Sequence, residues 1–280
     1  MSVTVAKSAG FCFGVSRAVD TVEQAAARGG NVATLGPIIH NRHVVQRFEG
    51  LGVRVIASPE EASADMTVII RSHGVAKDVL RRLEATGAKV IDATCPFVKR
   101  IHDIVSNAEQ EGRLPIIIGT RSHPEVEGIA GWCGGCRIFE SPQEVDEWAM
   151  SGQIPADQPI SMVCQTTSTE SLWKNSVKIA KKQFTNVKIF DTICRATEFR
   201  QGEAAKLSQV CGAMVVVGDP TSSNTGRLAM ICREHCDRVA LVDNAAERDP
   251  AFFSGVADVG ITAGASTPAW IIKEVNKNMS

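Results

Sequence analysis

The chain has 280 residues, of which 44% are hydrophobic, and its formal net charge is −1. This composition suits a globular protein with an ordinary core, and it lacks the basic charge of a general nucleic-acid or membrane-surface binder. The sequence contains no apolar run of membrane-spanning length and no charged, apolar signal peptide at its start. We therefore expect a cytoplasmic protein that binds neither nucleic acid nor membranes.

Short apolar runs bounded by turn residues predict the buried strands of parallel sheets. In chain order they are residues 3–6, 31–36, 66–70, 89–94, 115–120, 160–164, 187–192, 213–219, 238–243 and 259–264. Most of these runs alternate with amphipathic helical patterns, for example over residues 78–87 and 268–277. Alternating strands and helices predict an α/β fold with mostly parallel sheets. Residues 151–159 are predicted to form a surface loop.

Three of the nine cysteines, Cys12, Cys95 and Cys194, occupy the same local context. Each follows an apolar strand pattern and precedes a helical one. A glycine lies 24 residues after each cysteine, at Gly36, Gly119 and Gly218, and it closes the next strand. The polar residues four positions after these glycines are His40, His123 and Ser222, and a second strand-to-helix turn in each third carries His73, Thr166 with Thr167, and Ser266.

A spacing that recurs three times predicts three diverged α/β units. We assign them to residues 13–95, 96–194 and 195–280, the last completed by a strand from residues 1–12. Three such units can close around a pseudo-threefold axis, which would bring the three cysteines together at the centre. Converging thiolates suit either a zinc ion with an open position or an iron–sulfur cluster with one iron lacking a cysteine. Spacing alone does not choose between them.

The turns around these cysteines are rich in hydroxyl, amide and imidazole groups. They supply His40, His73, His123, Thr166, Thr167, Ser222, Ser223, Asn224 and Ser266. Such groups at helix N-termini predict an anion site suited to a phosphate or diphosphate. Glu125 follows the strand pattern at 115–120 and is the candidate proton donor, with Glu127 as its competitor. We expect His43 and His102 to lie on the surface.

The compact motif Trp132-Cys133-Gly-Gly-Cys136 is typical of thioredoxin-like redox sites, which need a strand before the motif and a helix after it. Here a strand pattern, RIFE, follows the motif, and its two glycines favour a turn. We expect a loop whose thiols are structural or incidental, and at most an accessory redox or metal site. The alternatives to be tested are a thioredoxin-like oxidoreductase, a three-cysteine zinc hydrolase and a non-enzymatic iron–sulfur sensor.

Nine segments, in order along the chain, match a known family. They are AGFCFGVSRAV (9–19), GPIIHNRHVV (36–45), RSHG (71–74), DATCPFV (92–98), SHPEVEG (122–128), QTTST (165–169), DTICRAT (191–197), SSNT (222–225) and AGAST (263–267). With them the chain resembles the LytB family, the 4-hydroxy-3-methylbut-2-enyl diphosphate reductases. The pattern departs from the family at Arg121 and Ser122, and at residues 219–221, where Asp219 is expected to point away from a diphosphate.

The resemblance implies the last step of the methylerythritol phosphate route, in which an allylic alcohol diphosphate is reductively dehydroxylated to isopentenyl and dimethylallyl diphosphate. It implies a trefoil of three α/β units around a [4Fe–4S] cluster held by Cys12, Cys95 and Cys194. The fourth iron is open to the substrate hydroxyl oxygen, and its loss gives a [3Fe–4S] form. A ferredoxin- or flavodoxin-type partner supplies two electrons.

The resemblance also implies a role for each site residue. Glu125 is the proton source, and Thr166 hydrogen-bonds the substrate hydroxyl and joins that relay, with Thr167 beside it. His123 contacts the diphosphate and passes protons through it. The remaining diphosphate ligands are His40, His73, Ser222, Ser223, Asn224 and Ser266.

Overall fold

The structure is a computed structural model that describes residues 1–247 and 250–279. Its first strands and helices, in chain order, are β1 (Ser2–Val5), α1 (Phe13–Ala27), β2 (Asn31–Leu35), α2 (Arg42–Glu49), β3 (Arg54–Ile56), β4 (Met66–Ile70), α3 (Lys77–Ala85) and β5 (Lys89–Asp92). The central elements are α4 (Pro96–Gln110), β6 (Leu114–Ile118), α5 (Pro124–Ala130), β7 (Arg137–Phe139), α6 (Pro142–Met150), β8 (Ile160–Cys164), α7 (Glu170–Gln183) and β9 (Val187–Ile189). The last are α8 (Arg195–Val210), β10 (Ala213–Val217), α9 (Ser223–Arg233), β11 (Val239–Val242), β12 (Asp258–Ala263) and α10 (Ala269–Lys277).

These strands form three parallel sheets of four strands each, which confirms the predicted α/β class. The sheet orders are β3-β2-β4-β5, β7-β6-β8-β9 and β11-β10-β12-β1. All ten predicted apolar runs form strands, and the segment at 151–159 contains neither helix nor strand, as predicted. The central strands are apolar on both faces: Ile116, Ile117 and Ile118 are completely buried. Helices that pack on both faces of a parallel sheet require such continuous apolar runs.

The order of strands is the same in all three sheets. In each sheet the strand that leads to a cysteine turn is an edge strand: β5 leads to Cys95, β9 to Cys194 and β1 to Cys12. Because β1 comes from the start of the chain, it completes a sheet whose other strands come from the end, and Val3 pairs with Val259. The repeated spacing of the sequence therefore corresponds to a repeated position in the sheet.

The sequence patterns did not predict β3. This strand has three residues, of which Arg54 and Val55 are exposed, and it lies at the edge of its sheet. A short edge strand with a charged residue shows neither a continuous apolar run nor a clear alternation, so its sequence carries little strand signal.

By their contacts, residues group into two bodies. The single-sheet body contains residues 1–19, 39–51 and the described residues from 195 onward, with sheet β11-β10-β12-β1. The two-sheet body contains residues 20–38 and 52–194, with the other two sheets. The three predicted domain ranges, the last ending at residue 280 outside the described part, stay a prediction. Within the described part of the chain, no helix has the length and apolarity needed to cross a membrane.

Candidate active site

The three cysteine turns share one backbone hydrogen bond. In each, the cysteine amide N–H donates to a carbonyl oxygen in the turn that follows the neighbouring strand of the same sheet. The donor and acceptor pairs are Cys12 to Ala265 (3.3 Å), Cys95 to Ser72 (2.9 Å) and Cys194 to Thr166 (3.0 Å). Thr166 is itself a candidate substrate ligand, and the other two acceptors directly precede the candidates His73 and Ser266, so each cysteine is held next to a candidate substrate turn.

Each of these cysteines stands at the start of a helix. Cys95 is the N-cap of α4, and Cys12 and Cys194 come directly before α1 and α8. All three side chains are half-buried, and none is in a disulfide. The partial positive charge of a helix N-terminus favours the thiolate, which is the form that binds metals. This donor set fits thiolate ligation of an iron–sulfur cluster or a zinc ion.

Glu125 and Thr166 form a buried acid–hydroxyl pair in the two-sheet body. The Glu125 side chain is only 2% exposed. One of its carboxyl oxygens accepts the Thr166 amide N–H at 2.6 Å, and the other accepts the Thr166 hydroxyl at 2.7 Å. The carbonyl of the same Thr166 accepts the Cys194 amide. The acid is therefore fixed to a turn that is bonded to a cysteine turn, whereas its competitor Glu127 is exposed.

Two histidines lie close to this pair. His123 is the N-cap of α5, and its Nδ1 accepts the Glu125 amide N–H at 3.1 Å. This bond assigns the ring proton to Nε2 when His123 is neutral. The rings of His73 and His123 meet edge to face, with their centroids 5.4 Å apart. Thr167 follows Thr166 and is half-buried.

Hydroxyl and amide groups form a second cluster in the single-sheet body. Ser222 is the N-cap of α9, and the Ser266 hydroxyl donates to the Ser222 hydroxyl at 3.3 Å. Asn224, the second residue of α9, is 4% exposed, yet neither its side-chain amide nitrogen nor its amide oxygen has a hydrogen-bond partner. Buried amides are nearly always hydrogen-bonded, so an amide without a partner indicates a place for a polar ligand. Ser223, the first residue of α9, is half-buried.

Asp219 connects this cluster to the turn that carries His40. One carboxylate oxygen accepts the Arg42 amide N–H at 3.0 Å, and the other accepts the Thr221 amide and hydroxyl at 2.9 and 2.6 Å. Burial acts to raise the pKa of Asp219, but the hydrogen bonds from Thr221 and Arg42 outweigh it and lower that pKa. The anionic side chain thus binds the start of α2, where Asn41 is the N-cap.

Arg200 and Glu203 on α8 support the Cys12 turn, and the sequence patterns did not identify either residue. The buried Arg200 guanidinium donates to the carbonyl oxygens of Gly10 (2.9 Å) and Ala263 (2.8 Å). Glu203 accepts the amide of Ser8 at 2.8 Å. Gly10 adopts a φ of +113°, which favours glycine at this bend. The partners of Arg200 and Glu203 lie far from them along the chain, so no local sequence pattern around these two residues indicates the contacts.

The structure corrects the expectation for His102. Its side chain is 3% exposed and stacks on Trp132 with ring centroids 4.9 Å apart. Burial lowers the pKa of His102 to about 4, against the opposing effect of Asp92, so the ring is neutral near pH 7. Its position on the inner face of α4 explains the burial. His43 is half-buried and contacts Asp243 at 3.1 Å.

The WCGGC segment forms the turn between α5 and β7, as predicted. Its tryptophan Nε1–H donates to the Val75 carbonyl oxygen at 2.9 Å, and the Gly134 amide donates to Glu109 at 2.7 Å. The turn therefore lacks the helix that a thioredoxin-like site has after its cysteines.

The sequence profile of the LytB protein family matches residues 3–280. The chain is 42% identical, over 276 residues, to the 4-hydroxy-3-methylbut-2-enyl diphosphate reductase of Geobacter sulfurreducens, and the match covers 98% of this chain and 95% of that one. It is 38% identical to the enzyme of the same name from Aquifex aeolicus, covering 100% and 96% of the two chains.

Solved structures are similar over the whole chain. A structure of (E)-4-hydroxy-3-methyl-but-2-enyl diphosphate reductase, described as the terminal enzyme of the non-mevalonate pathway, has a TM-score of 0.71 at 39% identity and covers 100% of this chain and 99% of its own. The E-1-hydroxy-2-methyl-but-2-enyl-4-diphosphate reductase of Plasmodium falciparum has a TM-score of 0.92 at 27% identity and covers 99% and 86%. Because the family profile and the relatives match this chain over almost its whole length, the chain belongs to the LytB family.

Proposed function

We propose that this chain is a 4-hydroxy-3-methylbut-2-enyl diphosphate reductase, which removes the allylic hydroxyl of its substrate reductively and forms isopentenyl and dimethylallyl diphosphate. The observation that carries the proposal is the buried Glu125–Thr166 pair, whose threonine carbonyl holds the Cys194 amide. An acid and a hydroxyl are thereby fixed beside a cysteine that stands at a helix N-terminus. Loss of water from an alcohol needs such a proton donor.

Cys12, Cys95 and Cys194 are the proposed ligands of a [4Fe–4S] cluster. Their equivalent turns, their half-buried side chains outside any disulfide and their positions at helix N-termini support this set. When bound, the cluster supplies electrons one at a time and a Lewis-acidic iron for the leaving oxygen. A ferredoxin- or flavodoxin-type protein is the proposed source of the two electrons.

Glu125 and Thr166 move the proton in this proposal. The Thr166 hydroxyl lies 2.7 Å from a Glu125 carboxyl oxygen, within the range of direct proton transfer between heavy atoms. A protonated Glu125 gives its proton to Thr166 Oγ1 as Thr166 gives its own to the substrate hydroxyl, which leaves as water. Burial of the acid keeps bulk water from competing for that proton.

The diphosphate is bound by neutral donors in this proposal. The proposed ligands are His40, His73, His123, Ser222, Ser223, Asn224 and Ser266, and Thr167 is a proposed contact of the substrate. The unpartnered amide of Asn224 and the linked hydroxyls of Ser222 and Ser266 support the assignment. Because Nδ1 of His123 accepts the Glu125 amide, the proton of the neutral ring is on Nε2, which is the proposed donor to the diphosphate. This hydrogen bond also couples the diphosphate turn to the acid.

The test is anaerobic purification followed by iron and sulfide analysis and by turnover with a reduced viologen dye. We expect coloured protein with about four iron atoms per chain and conversion of the allylic alcohol diphosphate to both products. Colourless protein with one zinc ion would replace the proposal with a zinc hydrolase. Cluster-loaded protein that binds the diphosphate without converting it would identify a sensor instead.

A further inference from the structure

The pair Cys133 and Cys136 lies outside the proposed active site and has no part in its chemistry. Both side chains are half-buried, and both pack against the same apolar cluster, which includes Val126 and Ile129 of α5. Two residues separate them in a turn that contains adjacent glycines. The turn therefore places both thiols against one apolar cluster.

The two thiols interact with each other. Interaction with the Cys136 thiol, together with burial, raises the pKa of Cys133, whereas interaction with Cys133 and the charge of Arg137 lower the pKa of Cys136 against the opposing effect of burial. The Cys133 thiol donates to the Ala130 carbonyl oxygen at 3.5 Å. The pair is therefore asymmetric, and Cys136 is the thiol that ionises first.

We propose that Cys133 and Cys136 form a reversible dithiol–disulfide site that exchanges with low-molecular-weight disulfides such as oxidised glutathione. The Cys136 thiolate attacks the external disulfide, forms a mixed disulfide and releases one external thiolate. Cys133 then loses its proton, attacks the Cys136 sulfur and releases the second external thiolate. The protein gains one disulfide and loses two thiol protons, and the external disulfide is reduced to two thiols. The proposal is independent of the proposed reductase activity.

The turn also contacts the segment that follows His73. Trp132 donates to the Val75 carbonyl oxygen at 2.9 Å, and the Gly131 carbonyl accepts the Lys77 amide at 3.3 Å. Closing a disulfide next to Trp132 tightens the turn on which that tryptophan stands. We therefore expect oxidation to change the fluorescence of Trp132, and a Trp132→Phe variant isolates its signal from that of the other three tryptophans.

Trypsin offers a direct measurement. Cleavage after Arg121 and Arg137 releases residues 122–137, a peptide whose only cysteines are Cys133 and Cys136. Protein purified without air is equilibrated in glutathione buffers from fully reduced to fully oxidised, quenched with acid, alkylated and digested. We expect the peptide to pass from doubly alkylated to unalkylated and lighter by two hydrogens, and to return when thiol is added.

Two serine variants test the assigned order of attack. The Cys133→Ser variant lacks the thiol that would resolve the mixed disulfide, so we expect glutathione to accumulate on Cys136. Cys136→Ser retains only Cys133, whose pKa burial and Glu109 still act to raise and which lacks the help of Arg137, so we expect it to capture glutathione more slowly. The proposal is overturned if the wild-type peptide stays doubly alkylated in oxidised buffer, or if protection from alkylation disappears with a zinc chelator. Equal capture by both variants would refute the order of attack.

Discussion

Replacing Glu125 with glutamine tests the proposed proton relay while leaving the shape of the site unchanged. The carboxylate accepts an amide N–H and a hydroxyl, both from Thr166. A glutamine at this position can keep both contacts. Its side-chain oxygen accepts the Thr166 amide N–H, and its NH₂ group donates to the Thr166 hydroxyl, which rotates so that its oxygen accepts. Because no hydrogen bond is lost, we expect the free energy of unfolding to change by less than about 1 kcal/mol.

The same substitution removes the acidic proton. General acid catalysis typically contributes about 10²- to 10⁴-fold, which corresponds to about 3 to 5 kcal/mol of transition-state stabilisation. We therefore expect kcat for the diphosphate substrate to fall about 100-fold or more, with little change in KM. The assay is anaerobic turnover with a reduced viologen dye, with iron content measured on the same sample.

Glu127→Gln is the matched control, because Glu127 lies on the same helix and is exposed. It should retain full turnover. If Glu125→Gln turns over within about threefold of the wild type at equal iron content, Glu125 does not supply the proton, since any general acid contributes more than that. Thr166→Val, which removes the hydroxyl, gives a second measurement should the glutamine variant lose its cluster.

Three further predictions concern Asp219, His102 and Gly131. In Asp219→Asn, the side-chain NH₂ replaces one accepting oxygen and faces the donors of Thr221 or Arg42. We therefore expect the free energy of unfolding to fall by about 1–3 kcal/mol. We also expect KM for the diphosphate to rise more than kcat falls. Since burial lowers the pKa of His102 to about 4 from 6.5, only the unfolded chain binds this proton between those pH values. Stability is therefore lost as the pH falls through that window, by up to about 1.4 kcal/mol per pH unit from this group, and His102→Phe should remove that part of the slope. Gly131→Ala places a Cβ against Ala76, overlapping its Cβ and 2.8 Å from its Cα, and should destabilise the protein by about 1–3 kcal/mol.

Chemical unfolding measures all three, and each has its own check. For Asp219, whose pKa is lowered, the stability advantage of the wild type over the asparagine variant should shrink as the pH falls through that pKa; an advantage independent of pH would contradict the anionic role. Parallel pH profiles for wild type and His102→Phe would show that His102 does not titrate as inferred. Gly135→Ala is the control for Gly131, because a Cβ there meets nothing within 4 Å, and equal losses would refute the steric argument.

The sequence was most informative where structure depends on neighbours along the chain. A buried parallel strand must be apolar on both faces, so runs such as PIIIGT reveal β6 directly. The threefold spacing of Cys12, Cys95 and Cys194 likewise predicted equivalent turns, and the shared amide bond confirms that equivalence. The resemblance to a family then added roles that spacing alone could not assign.

Contacts between distant residues were beyond the reach of these patterns. Arg42 and Asp219 are 177 residues apart, and nothing near either one indicates that they are bonded. His102 lies on the buried face of α4 with Ile101 and Val105, and its ring stacks on Trp132 from a different part of the chain, a contact that no local pattern indicates. Strand β3 was missed for a local reason. It lies at the edge of its sheet, and two of its three residues are exposed, so it forms no apolar run.

The bond that each cysteine amide makes to its neighbouring turn involves only main-chain atoms. Serine, threonine and alanine serve equally as acceptors, at Ser72, Thr166 and Ala265. Side chains in these turns are therefore free to differ without loosening the cysteines. A scaffold that repeats three times can in this way present three different side chains, an imidazole at His73, a hydroxyl bonded to Glu125 at Thr166 and a small hydroxyl at Ser266. The repeat is thus kept in the backbone bond, and the side chains carried by the turns differ from one to the next.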